Sequence, residues 1–160
     1  MKRDLSIPSY FFLNGKLHKR IQVVNSDDSV VAFCYQDQET KWYPRNEVRR
    51  NHKKAFTIAM AANLIRVSRV RVKQVYDRGL LSKPERTYDI ATLRPGRPYV
   101  SEDDMLELRQ VLWDLLPKNR LGIPHDDSMA SEKELEHDMR LRDDREFIIT
   151  DGEIIRIFKA

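Results

Sequence analysis

The chain has 160 residues, 41% hydrophobic and 34% charged, with a formal net charge of +4. That length suits one ordinary domain or two small ones, and no run of about 18 apolar residues exists to form a spanning helix. Cys34, the only cysteine, excludes an intramolecular disulfide and any multi-cysteine metal site. The charge is unevenly spread. Residues 1–50 carry 9 Lys and Arg against 6 Asp and Glu, residues 51–100 carry 11 against 3, and residues 101–160 carry 9 against 16. A middle third at +8 has the footprint of a polyanion-binding surface. The opening "MKRDLSIPSYFFLNG" lacks a continuous apolar core and a small-residue cleavage site. No signal peptide is expected, and a cytoplasmic location is.

The first fifty residues read as strands separated by turns. Tyr10–Leu13 and Lys16–Val24 flank Asn14-Gly15, a strong hairpin signal. "NSDDS" (Asn25–Ser29) turns the chain into a third strand at Val30–Gln36, and "DQET" (Asp37–Thr40) turns it again. Lys41–Arg50 gives a last strand that Pro44 confines to an edge or breaks. The expectation is a small antiparallel meander or SH3-like barrel over residues 1–52, marginal alone and therefore packed on the middle third of the chain.

Thr57 is placed to cap a short helix whose apolar positions are Ile58, Ala61, Ala62, Leu64 and Ile65. The next stretch, "IRVSRVRVKQVYDRG", alternates valine with basic residues and could pass for a cationic strand. Its flanks favour a helix. Ser68 precedes it as a cap, Gly79 stands after it where a C-terminus wants positive φ, and Arg78 sits in the last turn. A helix over 68–78 puts Val72, Val75 and Tyr76 on one side and Arg69 and Lys73 on the other. Leu81–Tyr99, with three prolines and a glycine, is loop or hairpin. "VSEDDMLELRQVLWDLLP" is a helix capped by Ser101, with Glu102, Asp103 and Asp104 in its first turn and Asp104 at the capping-box position. Its apolar stripe is Met105, Leu108, Leu112, Leu115 and Leu116, and Pro117 ends it.

Beyond Pro117, "KNRLGIPHDDSMA" reads as a linker. Ser131–Asp144 is a capped, very polar helix with only Leu135, Met139 and Leu141 to bury, and "REFIITDGEIIRIFKA" is a hairpin around Asp151-Gly152. The acidic segment Asp126–Asp144 reads as solvated surface; the sharper alternative is a tail that competes for the basic face or docks a partner.

Six pieces of the middle third, Thr57-Ile58, Ala61-Ala62, Val67-Ser68, Gly79-Leu80, Arg97-Tyr99 and Ser101–Asp104, stand in order. Together they resemble the winged helix-turn-helix of the MerR and excisionase-like family, over residues 56–116. The resemblance implies double-stranded DNA binding, with a recognition helix over 68–78 in the major groove and a basic wing over 83–97. The residue types suit that task. Ser68, Arg69, Arg71, Lys73, Gln74 and Arg78 would serve the helix. Lys83, Arg86, Arg94, Arg97 and Tyr99 would serve the wing, whose tip is expected at "RPGRP" (residues 94–98). The family's regulators dimerise through a long C-terminal coiled coil, whereas this chain shows a short polar helix and a hairpin. It therefore looks more like compact excisionase-type members or the DNA-binding domains of phage packaging subunits.

The four histidines are scattered and read as surface residues, so no metal site is expected, and Cys34 reads as a small buried apolar residue. With no phosphate loop or nucleophile elbow, neither catalysis nor a cofactor is expected. The expectation is an α+β protein: an N-terminal β meander or barrel (1–52), a winged helix-turn-helix (53–117), and a linker, polar helix and hairpin (118–160). Its expected function is that of a small transcriptional regulator or recombination accessory factor, acting in the host cytoplasm if phage-encoded. The rival is a protein-interaction or assembly subunit, such as a phage DNA-packaging adaptor, that uses the winged helix for docking. A protein partner could then engage the N-terminal β domain or the acidic C-terminal segment.

Overall fold

Asn14 and Gly15 both take positive φ, 54° and 76°. That is what a type I′ turn requires, and it reverses β1 (Tyr10–Leu13) into β2 (Lys16–Val24). Asp28 and Gln38, at φ 50° and 56°, mark the next two reversals into β3 (Ser29–Cys34) and β4 (Glu39–Pro44). The computed structural model describes residues 7–116, 129–141, 148–150 and 153–155.

The strand expected over Lys41–Arg50 stops at Pro44, and Arg45–Asn51 forms helix α1. Val48 is its only buried residue, packed with Ile7, Phe11, Leu13, Val30 and Ala32. One apolar contact in seven residues leaves no periodicity to read. A further strand, β5 (Lys53–Thr57), pairs Phe11 and Phe12 of β1 through Lys54 and Lys53. It then pairs β7 (Pro95–Ser101) through Ala55, Phe56 and Thr57. With β6 (Glu85–Tyr88) the result is one antiparallel seven-stranded sheet, ordered β4-β3-β2-β1-β5-β7-β6. The sheet is therefore larger than the four-strand meander expected, and the packing expected between that meander and the middle third is strand pairing within one sheet. The boundary expected between residues 52 and 53 falls at the strand that joins both halves.

The sheet curls until β6 returns over β2, where the Leu17 N–H donates to Glu85 Oε2 at 2.6 Å. Beside it, the Tyr88 hydroxyl donates to the Tyr35 carbonyl at 2.8 Å. Inside the curl lie Phe12, Leu17, Phe33, Tyr35, Ala55 and Tyr99, with Tyr10 and Tyr88 at their margin. The opposite face carries the Phe11–Val48 cluster. β3 is thus covered on both sides and all six of its residues are buried, Cys34 among them. His18, expected at the surface, is also fully buried, because the start of β2 lies between the two clusters.

The main core is helical. α2 (Ile58–Ile65), α3 (Arg69–Asp77), α4 (Glu102–Leu115) and α5 (Glu132–Leu141) enclose Phe56, Ile65, Val72, Met105, Leu108 and Leu135. Each begins on a hydroxyl cap. Thr57 accepts from the Met60 N–H, Ser68 from Arg71, Ser101 from Asp103 and Ser131 from Glu134. The Ser131 N–H in turn donates to Glu134 Oε1, completing a capping box there. At α4 the bond goes to Asp103, one residue short of the capping-box position expected at Asp104. Met129 and Ala130, expected in the linker, are buried, whereas Leu141, expected in the core, is 65% exposed. Residues 1–6, 117–128, 142–147, 151–152 and 156–160, with the turn expected at Asp151-Gly152, lie outside the described residues. Strands β8 (Ile148–Thr150) and β9 (Glu153–Ile155) pair antiparallel, as the sequence predicts.

Candidate nucleic-acid interface

The valine–arginine stretch is a helix. α3 buries Val72, Val75 and Tyr76, so the remaining residues face outward. Its C-terminus closes as the flanks require, with Gly79 at φ 70° donating to the Tyr76 carbonyl at 3.0 Å. Burial, with Asp104 and Glu107 nearby, pushes the Tyr76 phenol up to about 12, so it is neutral at physiological pH.

The helical repeat of 100° per residue orders the outer side. Val70 and Gln74 lie opposite the buried face, Arg69 and Lys73 fall on one flank, and Arg71 and Arg78 on the other. All are exposed. Arg71, Gln74 and Arg78 also border an open groove of about 200 Å³, whose far wall is Leu112 and Leu115 of α4. Val70, 62% exposed at the centre of this surface, is not among the residues the family resemblance points to. Its spacing from Val72 and Val75 identifies it once the helix is accepted. Asp77 is the one acidic residue of α3.

The side chains of Arg69, Arg71, Lys73 and Arg78 have no ion pair or hydrogen bond among the described residues. Several cations elsewhere are held. Asp37 binds both Lys16 and Lys41, and those two ammonium groups hold its carboxyl at about 2. Arg45 pairs with Asp28, Lys53 with Asp103, and Arg66 with Glu134 at 2.7 Å and Asp138 at 3.7 Å. Arg109 is buried, donating to the Ala130 carbonyl and covering the Trp113 ring at 5.0 Å.

The other expected contacts lie on the β6–β7 hairpin and its approach. Lys83 sits on the connection from α3 and is exposed, as are Arg86, Arg94 and Arg97. Arg86 donates to the Gly96 carbonyl at 2.9 Å. Tyr99 does not belong to this surface: it is 7% exposed and stacked on Tyr10 at 4.9 Å, inside the curl. The hairpin tip is also displaced from the expected "RPGRP". It is Asp89–Arg94, and Pro95-Gly96 already lie in β7, where a Cβ on Gly96 would stand 2.2 Å from Thr87 Oγ1. The tip carries Ile90 and Leu93, 62% and 70% exposed, which no periodic pattern marks.

The acidic helix is not a detachable tail. α5 packs against α2 and α4, buries Leu135 and Met139, and accepts the Lys54 ammonium at the Met139 carbonyl. Among the described residues no group of three or more His, Cys, Asp or Glu is placed to hold a metal, and no helix is long and apolar enough to cross a membrane. The chain matches no family model, no curated protein and no solved structure at a significant level.

Proposed function

We propose that this chain binds double-stranded DNA without catalysing a reaction, as a small transcriptional regulator or excisionase-like recombination accessory factor. In this reading β5 through α4 act as a winged helix-turn-helix of MerR or excisionase type, at work in the cytoplasm. α3 enters the major groove and the β6–β7 hairpin lies along the backbone as a wing. One observation carries the reading: Arg69 and Lys73 on one flank, and Arg71 and Arg78 on the other, border the outward face of α3 with no partner among the described residues. Unpaired cations at that density repel one another and are best satisfied by phosphates. Val70 and Gln74 between them offer a methyl contact and a bidentate amide to base edges.

A salt series on duplex DNA tests it. Affinity should fall with salt with a log–log slope of several units, and Arg69→Ala/Arg71→Ala/Lys73→Ala should lower that slope by about 2–3. No binding at low salt would sink the proposal. It would leave the second reading, a docking module for assembly, which the apolar groove wall of Leu112 and Leu115 favours.

A further inference from the structure

We infer that the tip of the β6–β7 hairpin is an apolar wedge that enters the minor groove of duplex DNA, opens a base step and bends the helix axis. The inference rests on the DNA-binding reading and deepens it. Ile90 and Leu93 are two of the most exposed aliphatic side chains in the described structure, and they stand within four residues on a projecting turn. Isolated surface aliphatics are ordinary; a pair set on a braced turn between arginines is a presented surface.

The turn is built to hold them out. Asp89 Oδ1 accepts the N–H groups of Ala91 and Thr92 at 2.9 and 3.0 Å. The Asp89 carbonyl accepts from Leu93 at 2.7 Å, and the Arg94 carbonyl accepts from Asp89 at 3.0 Å. Leu93 itself sits at φ 59°, a left-handed conformation uncommon for a residue of its size. Six residues are thereby fixed with their two aliphatics outward.

The surrounding charge selects the partner. Arg94 ends the turn, and Arg86 and Arg97 stand just behind it, with Arg86 fixed on the Gly96 carbonyl. The turn's one carboxylate, Asp89, is engaged by two backbone N–H groups of the turn itself, and Glu85 of β6 by the Leu17 N–H. An aliphatic point on a hairpin that carries three arginines matches a minor groove, where wedges insert between base steps while arginines meet phosphates and the groove's negative potential. An anionic lipid surface shares part of that chemistry, but two side chains bury too little for stable membrane anchoring. A wedge needs only one or two.

Ring closure by ligase measures the bend. A fragment of about 100 bp is shorter than the duplex persistence length of roughly 150 bp, so a bending protein should raise its cyclisation rate by about tenfold. Binding of the full chain to the same fragment is followed by fluorescence anisotropy. The expected result is enhanced closure by the wild type, lost in Ile90→Ser/Leu93→Ser, whose affinity stays within a few-fold and whose melting temperature is unchanged. Binding without enhanced closure, or closure by the variant equal to wild type, overturns the wedge and leaves DNA binding intact. If the wild type binds no duplex at low salt, both readings fall. Sedimentation with phosphatidylserine–phosphatidylcholine vesicles that the variant loses would then assign the tip to membranes.

Discussion

His18 is enclosed by aromatic rings, with Phe11 stacked at 5.3 Å and Tyr43 edge-on at 5.5 Å. Its Nδ1 lies 2.7 Å from the Lys16 carbonyl and its Nε2 2.9 Å from the Tyr43 hydroxyl. The neutral tautomer that fits both contacts carries its proton on Nδ1, donates to Lys16, and accepts from Tyr43. Burial pushes its pKa below 6.5, helped by Lys41 and Lys16 and opposed by the Lys16 carbonyl and Asp37. Protonation would add a donor at Nε2, turn the Tyr43 hydroxyl from donor to acceptor, and bury a charge among aromatic rings. The contribution of this site to stability is therefore whole above the unfolded value near 6.5. It is lost as the pH falls below that value and through the depressed folded one. The urea midpoint should drop between pH 7 and pH 5, and His18→Gln should remove that part of the drop. An equal drop in both proteins would show that other groups carry it.

At the scale of elements, α5 shows how little apolar surface a helix needs to be integral. Only Leu135 and Met139 are buried, yet both enter the main core beside α2 and α4. Main-chain contacts add to this, since the Ala130 N–H donates to the Ile65 carbonyl at 3.0 Å and Arg109 donates to the Ala130 carbonyl. The Arg66 pairs with Glu134 and Asp138 are nearly half exposed and screened by solvent, so they add little. Leu135→Ala should cost about 2–5 kcal/mol, the usual range for emptying a fully buried leucine site. Urea unfolding should then show one cooperative transition shifted to lower concentration. An unshifted midpoint would mean that α5 unfolds separately. The helix starts were legible because caps are local: Thr57, Ser68, Ser101 and Ser131 each serve an N–H two or three residues on. The strand β5 was not, since "KKAFT" is too short and too basic to announce itself.

For the whole molecule, the contact that closes the curl is also its electrostatic weak point. Glu85 accepts the Leu17 N–H across the two halves of the sheet, and burial pushes its carboxyl pKa up despite that bond and nearby Lys16. A carboxyl raised in the fold stabilises below its unfolded pKa, and that contribution is lost as the pH rises through the folded value. At neutral pH the closure therefore holds a charge that burial disfavours. Glu85→Gln keeps an acceptor for Leu17 without the charge and should melt at the same temperature as wild type or higher at pH 7. Glu85→Leu removes the acceptor and should cost about 1–3 kcal/mol. Calorimetry that ranked the leucine variant above the glutamine one would overturn this account of the closure.

The sequence by itself determined what depends on near neighbours along the chain. The Asn14-Gly15 reversal, the four hydroxyl caps, the Gly79 terminus and the outward placement of Arg69 and Lys73 all arise from residues within a turn of one another. The tertiary structure alone decided what depends on strand pairing over long separations. β5 joins β1 to β7, so what reads as a four-strand meander becomes part of a larger sheet. The curl then gives β3 and the start of β2 two covered faces, which buries His18 on the polar parity of its strand and draws Tyr99 inward. It also leaves Ile90 and Leu93 outside, because the hairpin tip projects beyond the last paired residues, Tyr88 and Pro95. Alternation along a strand shows that its faces differ, but not what covers either one; only the packing of distant elements supplies that.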